Sequence, residues 1–179
     1  MTLLEHAVAC GERIADEVLV STDYPWSRLP AMARKHYTPR PAHLATDRAG
    51  MLSVLADLAD HCAWDELDTV VLLQPTSFHP HRASLVREEL SSQSVVSAWR
   101  VPDKWHPLYA QDPASPHENP KCRQGLPPRY RPNGLFYIMD GFVAKTERLW
   151  HGPVRFVECE CVNIDTLDDL LEARRVYGE

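Results

Sequence analysis

The sequence predicts an α/β fold built on a doubly wound, mostly parallel sheet, and three observations carry that prediction. Near the amino end a segment of helical periodicity feeds directly into a short apolar strand that ends in polar residues, which is half of a βαβ unit. Thr69-Val70-Val71-Leu72-Leu73 is apolar almost without interruption, as suits a strand buried on both faces of a parallel sheet. Further strand and helix patterns alternate along the rest of the chain. A length of 179 residues suits a single domain spanning 1–179 with a substantial core.

In LLEHAVACGERIADEV the apolar residues Leu4, Ala7, Val8, Ile14, Ala15 and Val18 fall at helical spacing. Val18-Leu19-Val20 then reads as a strand ending at Ser21-Thr22-Asp23, and the strand that should precede the helix is not in the sequence. Residues Trp26 to His36 read as a second helix, and Arg40-Pro41 as extended or turn. Thr46 or Asp47 is suited to cap the next helix, whose apolar face runs from Met51 to Ala59. After the strand at 69–73 come a helix at about Ala83–Leu90 and a strand at Val95–Trp99. The stretch from about 101 to 133 is proline-rich and aperiodic, the texture of a functional or interfacial excursion. Beyond it lie a strand at Gly134–Met139, a short helix at Gly141–Leu149, a strand at Val154–Val162, and a last helix that Thr166 is placed to cap.

A formal net charge of -6, with no lysine or arginine run to offset it, argues against nucleic acid or an anionic membrane as partner. An anionic ligand would have to be met by a few concentrated cationic groups. Cys10, Cys62, Cys122, Cys159 and Cys161 lack the density of a disulfide framework, and no secretory leader or membrane-length apolar run is present, so a cytoplasmic protein is expected. Cys159 and Cys161 alternate with Glu158 and Glu160, which reads as two core thiols on one side of a strand.

Three constellations could carry chemistry. In Asn163-Ile164-Asp165 the outer two oxygens would share one side of a strand, where a hard cation such as magnesium could use them; capping of the last helix by Asp165 and Thr166 explains the same residues. Gln74-Pro75-Thr76-Ser77, with Arg82 behind it, offers neutral hydrogen-bonding groups at a strand's carboxyl end, suited to a sugar or ribose and equally to a surface turn. Arg40, Lys121, Arg123, Arg129 and Arg131 could gather at an acidic substrate or stand solvated in loops. His79 and His81 lack the further ligands a zinc site needs. Neither a GxSxG elbow, a Walker loop nor a GxGxxG fingerprint occurs.

Taken in order, Val20-Ser21-Thr22-Asp23, Arg40-Pro41 with Leu44-Ala45-Thr46-Asp47, and Leu72-Leu73-Gln74-Pro75-Thr76-Ser77 resemble the acylneuraminate cytidylyltransferase family, which includes the CMP-sialic acid synthetases. The likeness continues through Arg123-Gln124-Gly125-Leu126-Pro127, Tyr130, Asn133-Gly134, Tyr137-Ile138 and Asn163-Ile164-Asp165-Thr166 with Asp168-Asp169-Leu170, covering essentially the whole chain. The resemblance implies a doubly wound nucleotide-binding domain of the nucleotide-diphospho-sugar transferase type, dimerising through the central excursion. It also implies transfer of CMP from CTP to the hydroxyl of an acidic sugar, with release of pyrophosphate. Arg40, Ser21 and Asp23 would lie at the nucleotide, and Gln74, Thr76, Arg82, Arg123, Gln124 and Asn133 at the substrate. Asp165 would be catalytic as a magnesium ligand, helped by Asn163.

The departures shape the expectation. The family opens with a strand and a glycine- and base-rich loop that wraps the triphosphate, whereas Met1 stands where the following helix begins. A late start, or a separately supplied amino-terminal segment, would reconcile the two. Asn163 replaces a usual aspartate and contributes an oxygen without charge. The alternative expectation is therefore a non-catalytic binding or assembly subunit that keeps the fold but not the phosphate site.

Overall fold

A computed structural model describes residues 1–91, 94–101, 130–146 and 154–178. Strands β1 (Val20–Thr22) and β2 (Tyr37–Pro39) form a parallel pair. A four-stranded sheet has the order β3 (Thr69–Leu72), β6 (Tyr130–Asp140), β5 (Val95–Arg100), β7 (Arg155–Glu158). Strands β4 (Ser77–Phe78) and β8 (Val162–Asn163) make a small antiparallel pair.

The expected doubly wound, mostly parallel sheet is overturned by the direction of β6. It runs antiparallel to β3 on one side and to β5 on the other, and only β5 with β7 is parallel in that sheet. The fold is α/β with mixed, mostly antiparallel sheets. The apolar run of β3 suits a strand with parallel neighbours, but it reports burial on two faces and carries no information on strand direction.

Alternating residues of the large sheet face two helical layers. On one face Val70 and Met139 pack with Leu55 and Ala59 of α3 (Met51–His61) and with Val143 and Ala144 of α5 (Gly141–Lys145). On the other, Val95, Phe136 and Ile138 pack with Val86 of α4 (Arg82–Glu89), joined by Ile14 of α1 (Leu3–Ile14). Among the described residues no helix is long and apolar enough to cross a membrane.

Local chemistry explains where helices begin and end. Thr2 caps α1 in a reciprocal box with Glu5, and Thr166 does the same with Asp169 for α6 (Leu167–Tyr177), which ends at the left-handed Gly178. The helix expected over Trp26 to His36 is instead a 3-10 turn at Trp26–Arg28 and a single α-turn, α2 (Ala31–Arg34), because Pro30 sits between them. Gly50, not Thr46 or Asp47, is the N-cap of α3. The strand expected over Val154–Val162 is divided into β7 and β8, which belong to different sheets.

Candidate functional site

The carboxyl ends of β1 and β3 lie on one cleft. Val18 to Ser21 and Arg40 line one side of a cavity of about 220 Å³, and Val71, Leu73, Gln74 and Pro75 line the other. Arg40 follows β2 directly, and the ladder places it beside β1: its backbone N–H donates to the Thr22 carbonyl at 2.9 Å. Its guanidinium bends back over the same strand, donating from Nη2 to the Ser21 carbonyl at 2.7 Å and from Nε to Ser21 Oγ at 3.3 Å. Two of its donors are thus braced by backbone and hydroxyl, and the residue remains half-buried at the cleft. Ser21, Arg40 and Gln74 are therefore brought together; Asp23 is exposed in the turn after β1.

The turn after β3 is tied down from behind. Arg82, 1 % exposed, donates from Nη2 to the Gln74 carbonyl at 3.0 Å and from Nη1 to the Ser77 carbonyl at 3.2 Å, while its Nε has no partner. Burial pulls its pKa down from 12.5 to about 10, so the group is still a cation at neutral pH. It fastens the turn and is directed at backbone carbonyls. Glycine at position 134, with φ at +79°, allows β6 to pass against the side chains of Gln74 and Ser77, where a Cβ would collide with Gln74 Oε1.

Ser77 is the hub of this junction. Its hydroxyl is 3.2 Å from the Asn133 carbonyl and 2.9 Å from Asn163 Oδ1. Asn133, 2 % exposed, donates from Nδ2 to the Cys159 carbonyl at 3.0 Å and accepts the Leu135 N–H on Oδ1 at 3.1 Å. Its amide is thereby engaged within the protein. Thr76 is exposed, and its carbonyl accepts the Ile164 N–H at 2.7 Å.

The expected pairing of Asn163 and Asp165 on one side of a strand meets the end of β8 at Asn163. Asn163 Oδ1 accepts from Ser77 Oγ at 2.9 Å, and Asp165 lies exposed in the turn before α6. Asp169 accepts from the Thr166 hydroxyl and from the N–H groups of Thr166 and Asp165, which holds its own carboxyl below the usual range. Among the described residues no group of three histidine, cysteine, aspartate or glutamate side chains is placed to hold a metal ion.

Burial raises the thiol pKa of Cys159, and raises that of Cys161 to about 12, so both are held as thiols in the core. His79 lies against Tyr177, with ring centroids 5.6 Å apart, and its Nδ1 accepts the His81 N–H. Arg123, Gln124 and nearly all of the central excursion lie outside the described residues. No protein-family model matches this chain.

The sequence reading missed two features of the site. The burial of Arg82 left no signal, because an arginine opening a helix pattern reads as solvated. Gly134 carried one that went unused: a glycine between Asn133 and an apolar run marks a close backbone approach.

Proposed function

We propose that this chain is a cytidylyltransferase-type protein that binds CTP at the shared carboxyl edge of β1 and β3 and transfers CMP to an acidic sugar or related carboxylated substrate. The observation that carries the proposal is the grouping of Ser21, Arg40 and Gln74 at that edge. A guanidinium already oriented by the neighbouring strand β1 needs little further ordering to meet an anion. The ordered motifs from Ser21 to Asp165 support the choice of CTP and an acidic acceptor.

In the transfer, the acceptor hydroxyl oxygen forms a bond to the α-phosphorus and loses its proton, while the bond from that phosphorus to the β-phosphate bridging oxygen breaks and pyrophosphate departs. Arg40 would bind the nucleotide, Gln74 and the Thr76 hydroxyl would orient the acceptor, and magnesium, when bound, would neutralise phosphate charge beside Asp165. A homodimer, with Arg123 and Gln124 reaching the acidic sugar, belongs to the same reading.

The Ser77–Asn163 bond favours a second reading, a binding or assembly subunit without transfer chemistry, since Asn163 brings no charge to a metal and its oxygen already accepts one bond within the protein. Calorimetric titration with CTP, with and without magnesium, separates the cases. Binding that Arg40→Ala weakens at least tenfold supports the nucleotide site, and added dependence on magnesium and Asp165 supports transfer. A folded protein that binds no CTP refutes both the nucleotide site and the transfer built on it.

A further inference from the structure

Among the described residues, strands β1 and β3 each have a single hydrogen-bonded neighbour, β2 and β6 respectively. The Val20 N–H donates to His36 O, and Thr22 O accepts from Arg40, so Val20 and Thr22 turn their backbone groups toward β2. Alternation turns those of Leu19 and Ser21 the other way. The Gly141 N–H donates to Asp68 O, which with the register Val70↔Met139 and Leu72↔Tyr137 places Asp68, Val70 and Leu72 on the β6 side. Thr69, Val71 and Leu73 therefore direct N–H and C=O away from β6.

These two open edges face each other across the cleft. Its lobe of about 220 Å³ runs between 18–21 and 71–75, and an adjoining lobe of about 610 Å³ runs between 15–19 and 67–71. The amino-terminal parts of both strands meet in one lobe and the carboxyl ends in the other, so β1 and β3 point the same way. Leu4 and Val8 of α1 line the smaller lobe, while Leu55 and Leu58 of α3 line the larger. Backbone groups on two banks, between apolar walls, require partners at ladder spacing. An extended peptide supplies N–H and C=O to both banks at once.

We propose that an apolar strand from another polypeptide inserts between β1 and β3 and joins the two sheets. At roughly 3.3 Å per residue, about five residues pair before the ladder reaches the Ser21 carbonyl, which Arg40 already occupies. Asp16, Glu17 and Asp68 line the far lobe, so the inserted strand carries a basic residue at that end. A second copy of this chain is a poorer occupant, because each apolar strand described is already paired in its own sheet.

The probe is a peptide of alternating valine and alanine with a lysine at each end, titrated into the full chain by fluorescence anisotropy. Saturable binding is expected, weakened at least tenfold when alternate backbone amides are N-methylated and weakened at low salt when both lysines become glutamates. Hydrogen exchange should slow at Ser21, Thr69 and Val71 on peptide addition and stay unchanged at Ile138. Three results would overturn the proposal: no binding, binding indifferent to N-methylation, or protection of the same amides in the free protein that grows with its concentration, which would put a second copy in the cleft. The peptide readouts involve no CTP, so their failure leaves the nucleotide site standing.

Discussion

Replacing Arg82 tests whether the turn at the candidate site is held from within. Arg82 is the bulkiest of the fully buried side chains among the described residues, and its two guanidinium bonds go to the carbonyls of Gln74 and Ser77. A pKa lowered from 12.5 to about 10 means that burying the charge costs about 3 kcal/mol, on the order of 1.4 per pH unit. Truncation removes that cost, but each carbonyl left dry costs about 1–3 kcal/mol. For Arg82→Met, which keeps most of the volume, the two effects nearly offset and the expected loss is about 1–2 kcal/mol. Arg82→Ala adds a cavity and should lose about 3–5 kcal/mol in all. Urea unfolding at pH 7.5, followed by tryptophan fluorescence, reads both. If the alanine variant loses less than about 1 kcal/mol, or the methionine variant loses nothing while alanine loses the full amount, the turn is not fastened in this way.

Gly134→Ala should cost about 2–4 kcal/mol in the same assay, since φ of +79° is unfavourable for alanine and the new Cβ meets Gln74 Oε1 and Ser77 Oγ. A loss below about 1 kcal/mol would show that β6 does not pass as close to the turn as described. His79 has its pKa lowered below the usual 6.5, first by burial and then by the neighbouring His81. The unfolded chain therefore binds the proton more readily, and stability should fall as pH drops below about 6.5 and be constant on this account above it. Melting temperatures measured from pH 7.5 to 5 should decline less steeply for His79→Gln than for the unaltered chain; parallel curves would remove His79 as a cause.

Elements set by short-range chemistry were legible in the sequence. The capping of α6 by Thr166 and the apolar faces of α1 and α3 follow from spacing alone, and β3 was placed to within a residue. Strand direction was not legible, because Gly134 to Met139 has the same side-chain alternation whether its neighbours run with it or against it. The site was read in part. Ser21, Arg40 and Gln74 line one cavity, whereas the alternation that would put Asn163 and Asp165 on one side does not extend past Asn163, where β8 stops. Buried Arg82 lies near Cys10 of α1 and Cys161, residues far from it in sequence, which a local pattern does not reveal.

The two banks of the cleft are anchored differently, and this bears on what Arg40 is able to do. The β3 bank continues through β6 into a four-stranded sheet with helices on both faces, and its turn is further tied through Ser77 to the Asn133 carbonyl and Asn163. The opposite bank is a two-stranded ribbon, an arrangement of marginal stability unless packed against other elements. It is supported by Val8 of α1 and by Leu29 and Ala33, which cluster with Val20. Because Arg40 spends its donors on Ser21 of the same ribbon, the guanidinium is oriented relative to β1 whatever the separation of the banks. Ser21 and Arg40 thus behave as one preformed unit, whereas the distance from that unit to Gln74 depends on what fills the space between β1 and β3.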